Sequence, residues 1–266
     1  MVRASAKNHR HVLIATNPAR YGDVIEALQS VDEPALVGMD LRQSLALEAF
    51  EHTAAYDVAI AQELHRRVVG DPTQGVSMEE QRDRLPRSVL EASHLVDSLR
   101  YGENGHQAAA LYVDHDAPHG HNTLVTARVE GGKAMSYNNY SDADATLRLC
   151  RSLSTDEWPS TPHACVIVKH NNPCGAALGA TQLEAFEMAL ASDPESAFGS
   201  IICFNEIVEE ATAKAVGDLF VEVMMAPGYT DEAKQTLLVK KNRRVLTIDS
   251  PGDRLEPLVL QLVRKP

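Results

Sequence analysis

The chain has 266 residues, 44% hydrophobic and 23% charged, which is enough apolar material for a packed core and gives no sign of a disordered chain. Its formal net charge of -12 repels a phosphate backbone and argues against a nucleic-acid partner. Phosphorylated small molecules stay open, because they need only a few local Arg, Lys or backbone N–H groups. The cysteines Cys150, Cys165, Cys174 and Cys203 are too few for a disulfide scaffold and read as buried free thiols of a reducing cytoplasm. No apolar run reaches the roughly 18 residues of a membrane-spanning helix, and the N-terminus lacks the apolar stretch of a signal peptide. A cytoplasmic protein is expected.

In chain order, Val12 to Ala15 reads as a short buried strand that Asn17-Pro18 breaks. Residues 19 to 30 have the pattern of an amphipathic helix with Val24, Ile25 and Leu28 inward. One strand and one helix cannot bury a sheet, so a domain opening this way is expected to have lost its beginning. Leu41, Leu45, Phe50, Ile60, Leu64 and Val68 recur at helical spacing and predict a long helix over 41–69, ended by Pro72 and Gly75. Residues 70–88 are polar and read as a surface connection.

From about residue 89, strand-like and helix-like pieces alternate. Strands are expected over 124–129, 164–168, 201–204, 221–226 and 245–248. The first leads into a turn at Gly131-Gly132. Helices are expected over 141–153, capped by Ser141 or Asp142, over 181–192, capped by Thr181 with Glu184 at its third position, and over 210–219 and 231–240. The alternation predicts an α/β fold.

The segment Val166-Ile-Val-Lys-His-Asn-Asn-Pro-Cys-Gly175 is an apolar strand ending in Lys169 and His170, followed by a polar turn closed by Pro173 and Gly175. Ligands of α/β sheets gather at the carboxyl ends of strands, and a His beside a Lys suits general-base and electrostatic roles. A surface Lys with a turn-stabilising His fits the same pattern. In Leu99-Arg-Tyr-Gly-Glu-Asn-Gly-His-Gln107, Arg100 offers a fork for phosphate or carboxylate and Tyr101 a stacking face. A loop of turn-formers is the plainer reading. The amides of Lys133-Ala-Met-Ser-Tyr-Asn-Asn139 suit a purine-like edge or simply a turn. Phe198, in Asp193-Pro-Glu-Ser-Ala-Phe-Gly199, suits core packing or a ring platform.

Together these segments resemble the bifunctional AICAR formyltransferase/IMP cyclohydrolase family. Arg3-Ala-Ser-Ala-Lys-Asn-His9, Ala49-Phe-Glu-His-Thr-Ala-Ala-Tyr-Asp57, Arg100 to Gln107, Ala134 to Asn139, Ile167 to Gly175, Asp193 to Gly199 and Glu222-Val-Met-Met-Ala-Pro227 occur in the family's order at family-like spacing. The resemblance implies de novo purine biosynthesis. The reaction would be transfer of a formyl group from 10-formyl-tetrahydrofolate, a co-substrate, to AICAR, giving FAICAR, which the parent enzyme closes to IMP. It implies Lys169 and His170 as the catalytic pair, Arg100, Tyr101, Asn139, Phe198, Gly199 and Glu222 as substrate-binding residues, and Lys7 as a remnant of the cyclohydrolase site. No metal is required. A homodimer is implied for the full-length protein.

By the same resemblance, residues 1–40 are the end of the cyclohydrolase domain, with a methylglyoxal-synthase-like fold. Residues 41–88 are a helical connection, 89–250 the first, cytidine-deaminase-like half of the formyltransferase domain, and 251–266 a tail. The remaining parts of both sites would lie outside the chain, which is expected to be poorly active alone or only a nucleotide-binding fragment. Gly105, Ser200 and Glu206 depart from the family pattern, and Ser200 puts pocket shape in question. A zinc deaminase, the rival enzyme, needs His-x-Glu and Pro-Cys-x-x-Cys. Here Ala177 stands where the second Cys is required, and His163 lacks the Glu.

Overall fold

The computed structural model describes residues 1–33, 37–71, 77–114, 123–153 and 160–248. The chain forms two compact units. One runs from Met1 to His94 and the other takes up nearly all of the chain from Leu95 onward.

The first unit is helical. It holds α1 (Val2–Lys7), a 3-10 turn at Pro18–Arg20, α2 (Tyr21–Gln29), α3 (Met39–Val68) and α4 (Met78–Asp83). Ala6, Ala46 and Ala49 form a small core to which Val2, Ile14 and Phe50 are added. The strand expected at Val12–Ala15 does not form: residues 12–16 have no regular structure. A strand needs a neighbour to take its backbone hydrogen bonds, and none lies beside it among the described residues. The helix expected over 19–30 is present, but its apolar residues are not turned inward. Val24 is half-buried, and Ile25 and Leu28 are exposed. The long helix is present as expected over Met39–Val68, yet only its first half is covered. Leu45, Ala46, Ala49 and Ala55 are buried, whereas Ile60, Leu64 and Val68 face solvent. The supposed connection contains α4, started by a reciprocal Ser77–Glu80 capping box. Pro72 and Gly75 lie outside the described residues.

The second unit is α/β, as the alternation predicts. Besides a two-stranded sheet of β1 (Ser93–Leu99) and β2 (Ala109–Asp114), it contains β3 (Arg128–Gly131), β4 (His163–Lys169), β5 (Asn172–Gly179), β6 (Ser200–Phe204), β7 (Val221–Ala226) and β8 (Arg244–Thr247). These six are ordered β3-β8-β7-β6-β4-β5. Strands β6, β7 and β8 are parallel, β4 is antiparallel to both its neighbours, and β3 closes the far edge antiparallel to β8. Helix α5 (Tyr137–Ser152) covers one face, where Ala143, Leu147 and Cys150 meet Val166, Val168, Ile201, Cys203, Val223 and Met225. Helices α6 (Gln182–Ser192), α7 (Glu210–Gly217) and α8 (Asp231–Leu238) cover the other, where Phe186, Val216 and Leu237 pack on Ile167, Ile202 and Met224. Burial on both faces explains the unbroken apolar runs of β4 and β6. Each large side chain buried there contributes about 1.5–3 kcal/mol.

The second unit departs from the expected elements at three places. The segment 124–129 is strand only from Arg128, because Thr123 and Thr126 tie residues 123–126 into a turn. Helix α5 begins at Tyr137 with Ser136 as cap, ahead of Ser141 and Asp142, because Asn139 stands in for the Glu or Gln of a capping box. Residues 172–179 are strand β5 in place of the expected polar turn. The run Pro-Cys-Gly hides a strand because Gly175 packs flat on α6: a Cβ there would lie 1.9 Å from the Ala189 carbonyl oxygen. No described helix is long and apolar enough to cross a membrane.

Candidate functional site

Strand β4 ends at Lys169, and His170 and Asn171 make the whole connection to β5, where Lys169 pairs with Asn172. Both turn residues have positive φ, 54° and 61°. That is the backbone of a type I′ hairpin, the tight turn whose twist matches that of its strands. Asn adopts this conformation readily and His less so, which stores strain at His170. The turn is held from α5. The carboxylate of Asp142 accepts the backbone N–H of His170 at 3.2 Å and of Asn171 at 2.8 Å. Two successive N–H groups thus clasp one anion.

Side chains on a regular strand alternate between faces, so adjacent Lys and His can act together only if the strand stops between them. It does: Lys169 is the last residue of β4 and His170 belongs to the turn. Lys169 Nζ donates to the Phe198 carbonyl oxygen at 2.7 Å. Phe198 precedes Gly199, whose φ of 79° turns its N–H onto the Phe220 carbonyl oxygen at 2.7 Å. The Phe198 and Phe220 rings stand 5.1 Å apart, and Phe198 is 61% exposed, so it lies at the surface rather than in the core. A cleft of about 320 Å³ opens beside this arrangement, lined by Lys169, His170, Asn172, Pro173, Cys174, Asp193 and Ser196. Burial pushes the Cys174 thiol up and the nearby Asp193 carboxylate adds to this, with Lys169 opposing. Hydrogen bonds from Ser196 hold Asp193 below the usual carboxylate range.

Further along the same edge of the sheet lies a second polar cluster. Ser200 pairs with Val221 and Ile201 with Val223, so Glu222 is the extra residue of a β-bulge in β7. Bulges re-aim side chains, and Glu222 points to the start of α5, where Asn139 Nδ2 donates to its Oε2 at 2.9 Å. Arg244 Nη1 donates to the same oxygen at 3.0 Å. Cys174 is likewise the extra residue of a bulge in β5, since Ile167 pairs with Gly175 and Val168 with Pro173.

The residues singled out from the sequence therefore fall into groups. Lys169, His170, Phe198 and Gly199 come together, and Asn139 meets Glu222. Arg100 and Tyr101 follow β1, with the guanidinium carbon 5.6 Å from the Tyr101 ring centre, and neither lines the cleft. Their loop is tied by Gly102 N–H to the Gln107 carbonyl oxygen at 2.8 Å. Lys7 lies exposed at the end of α1, in the helical unit. The strand-end expectation needs amending, because this edge is the carboxyl end of β4 but the amino end of β6, β7 and β8. Ser200 does not narrow the cleft: it is fully buried and absent from the lining. Asp142 and Arg244 were missed. Asp142 looks like any helix-capping residue and Arg244 like any charge before a strand, and no local spacing marks either. His163, the candidate zinc ligand of the rival reading, sits 2.9 Å from Glu206. Among the described residues no cluster of three or more His, Cys, Asp or Glu could hold a metal.

The family model for the AICARFT/IMPCHase bienzyme matches residues 5–263. The chain is 40% identical over 257 residues to the bifunctional purine biosynthesis protein PurH from a strain of Cereibacter sphaeroides, covering 97% of this chain and 44% of that protein. PurH proteins from two further strains of the same species match with the same identity and coverage. The chain thus spans less than half the length of these curated relatives. It belongs to the AICARFT/IMPCHase bienzyme family.

Proposed function

We propose that this chain carries part of a formyl-transfer site of purine biosynthesis, in which the 5-amino group of AICAR takes a formyl group from 10-formyl-tetrahydrofolate. The observation that carries the reading is the Lys169–His170 pair, set on a hairpin turn over the cleft with Phe198 beside it. The amine is a poor nucleophile because its lone pair is delocalised into the imidazole ring. His170 takes its proton as the new bond forms, and Lys169 faces the negative charge that develops on the formyl oxygen. Arg100 and Tyr101 hold the nucleotide, with Asn139, Phe198, Gly199 and Glu222 completing its pocket. Lys7 belongs to the cyclohydrolase site that closes FAICAR to IMP.

The same reading divides the chain into the end of a cyclohydrolase domain at 1–40, a helical connection at 41–88, the first half of a cytidine-deaminase-like formyltransferase domain at 89–250, and a tail at 251–266. The separation into two compact units near residue 94 supports the boundary at 88/89, and the α/β character of the second unit fits the third segment. Residues 1–94 form one unit, so the boundary at 40/41 rests on the resemblance alone. A cytoplasmic homodimer that uses reduced folate and no metal completes the proposal.

The test is formyl transfer to AICAR by the purified protein, beside titration with AICAR alone. Enzyme-dependent FAICAR that disappears in His170→Ala supports the reading. Nucleotide binding without transfer favours the alternative of a non-catalytic nucleotide-binding fragment. Absence of both in a folded protein overturns it.

A further inference from the structure

We infer that Arg244 is a positioning residue that sets the Glu222 carboxylate for the nucleotide, an inference that rests on the reading of Glu222 as part of the AICAR pocket. Arg244 is the first residue of β8, in register with Val223 next to Glu222. Its guanidinium bridges two separate pieces of chain: Nη1 donates to Glu222 Oε2 at 3.0 Å, and Nε and Nη2 donate to the Ala134 carbonyl oxygen at 3.3 and 3.0 Å. Its side chain is 14% exposed and that of Glu222 35%.

Glu222 sits in a bulge, where the strand ladder does not dictate the direction of a side chain. Two donors converge on one of its oxygens. Asn139 Nδ2 approaches from the first turn of α5 and Arg244 Nη1 from β8, both onto Oε2. The Asn139 amide is itself fixed, because its Oδ1 accepts from the Ser136 backbone N–H and hydroxyl at 3.1 Å each. With Oε2 held from two sides, Oε1 is left to accept an N–H or O–H of a ligand. The bonds from Arg244 to Ala134 also anchor the chain just before the α5 cap, so the guanidinium locks acceptor and helix start together. A lysine has one nitrogen on a flexible stem and cannot make the forked contact to both.

The experiment is a double-mutant cycle on AICAR affinity, read by calorimetry, with Arg244→Met, Arg244→Lys and Glu222→Ala. Arg244→Met is expected to weaken AICAR about tenfold with Glu222 present, as suits loss of one charge-assisted bond, and less than about twofold in the Glu222→Ala background. Arg244→Lys should fall between wild type and Arg244→Met. Near-UV circular dichroism reports folding, and if Arg244→Met does not fold, Arg244→Lys decides by the same comparison. Equal losses with and without Glu222, or no loss with it, overturn the inference. A folded wild-type protein that does not bind AICAR at all removes the underlying reading and the inference with it, a result distinct from binding that is indifferent to Arg244.

Discussion

Lys169 Nζ donates to the carbonyl oxygen of Phe198 at 2.7 Å, tying the end of β4 to the residue before the left-handed Gly199. The ammonium is therefore held on one side and keeps its remaining N–H groups for the cleft. Lys169→Met preserves the length of the stem and removes the charge. It is expected to lower kcat for formyl transfer by about 10²-fold or more, the scale for losing a donor to developing negative charge, with little change in melting temperature. A kcat within a few-fold of wild type would take Lys169 out of the chemistry.

His170 carries a φ of 54° that glycine would adopt without steric cost. His170→Gly is expected to stabilise the fold by about 1 kcal/mol in urea denaturation and to lower kcat by about 10²–10⁴. The two effects have opposite signs, so global unfolding cannot mimic them. A destabilised but active variant would contradict both assignments.

The Asp142 carboxylate holds the N–H groups of His170 and Asn171. Asp142→Ala leaves both to solvent and should cost about 1 kcal/mol of stability. Misplacement of the His ring is expected to lower kcat by about tenfold or more. Asp142→Asn keeps one acceptor and should retain part of both. Paired melting curves and turnover numbers check this, and turnover unchanged in Asp142→Ala would show that the turn holds itself.

Cys174 lines the cleft with its thiol raised by burial and by Asp193. A raised pKa means less thiolate at neutral pH, so alkylation by iodoacetamide should be slower than that of free cysteine at pH 7. The rate should climb through a midpoint above the ordinary thiol value. AICAR in the cleft should slow it further. Mass spectrometry across a pH series checks this, and a midpoint at or below the ordinary value would show that Lys169 outweighs burial.

The buried strands β4, β6, β7 and β8 and the capped helix α6 were legible in the sequence, because continuous apolar runs and a Thr181–Glu184 cap are local signals. Strand β5 was not, because its Asn, Pro and Gly are also turn residues and only the close approach to Ala189 explains them. The apolar spacing of α2 and α3 predicts helices correctly but not which residues this chain covers, since Ile25, Leu28 and Leu64 remain exposed. In the candidate site, Lys169 and His170 stand out because a strand ends there. Asp142 and Arg244 act through partners far away in sequence, as in the bonds from Arg244 to Ala134 across 110 residues, and local pattern carries no trace of them.

That contrast in range orders events in time. The hairpin carrying Lys169 and His170 closes through neighbours in sequence, on the microsecond scale of β-hairpins. The Glu222 corner requires Asn139 to meet a strand 83 residues downstream. During synthesis at about 5–20 residues per second, the turn and its Asp142 clasp can form seconds before Glu222 and Arg244 are made. Pulse-labelling hydrogen exchange during refolding should accordingly find the amides of the β4–β5 hairpin protected earlier than those pairing β7 with β8. The Lys169–His170 turn is then formed first, and the corner of Asn139, Glu222 and Arg244 is added to it.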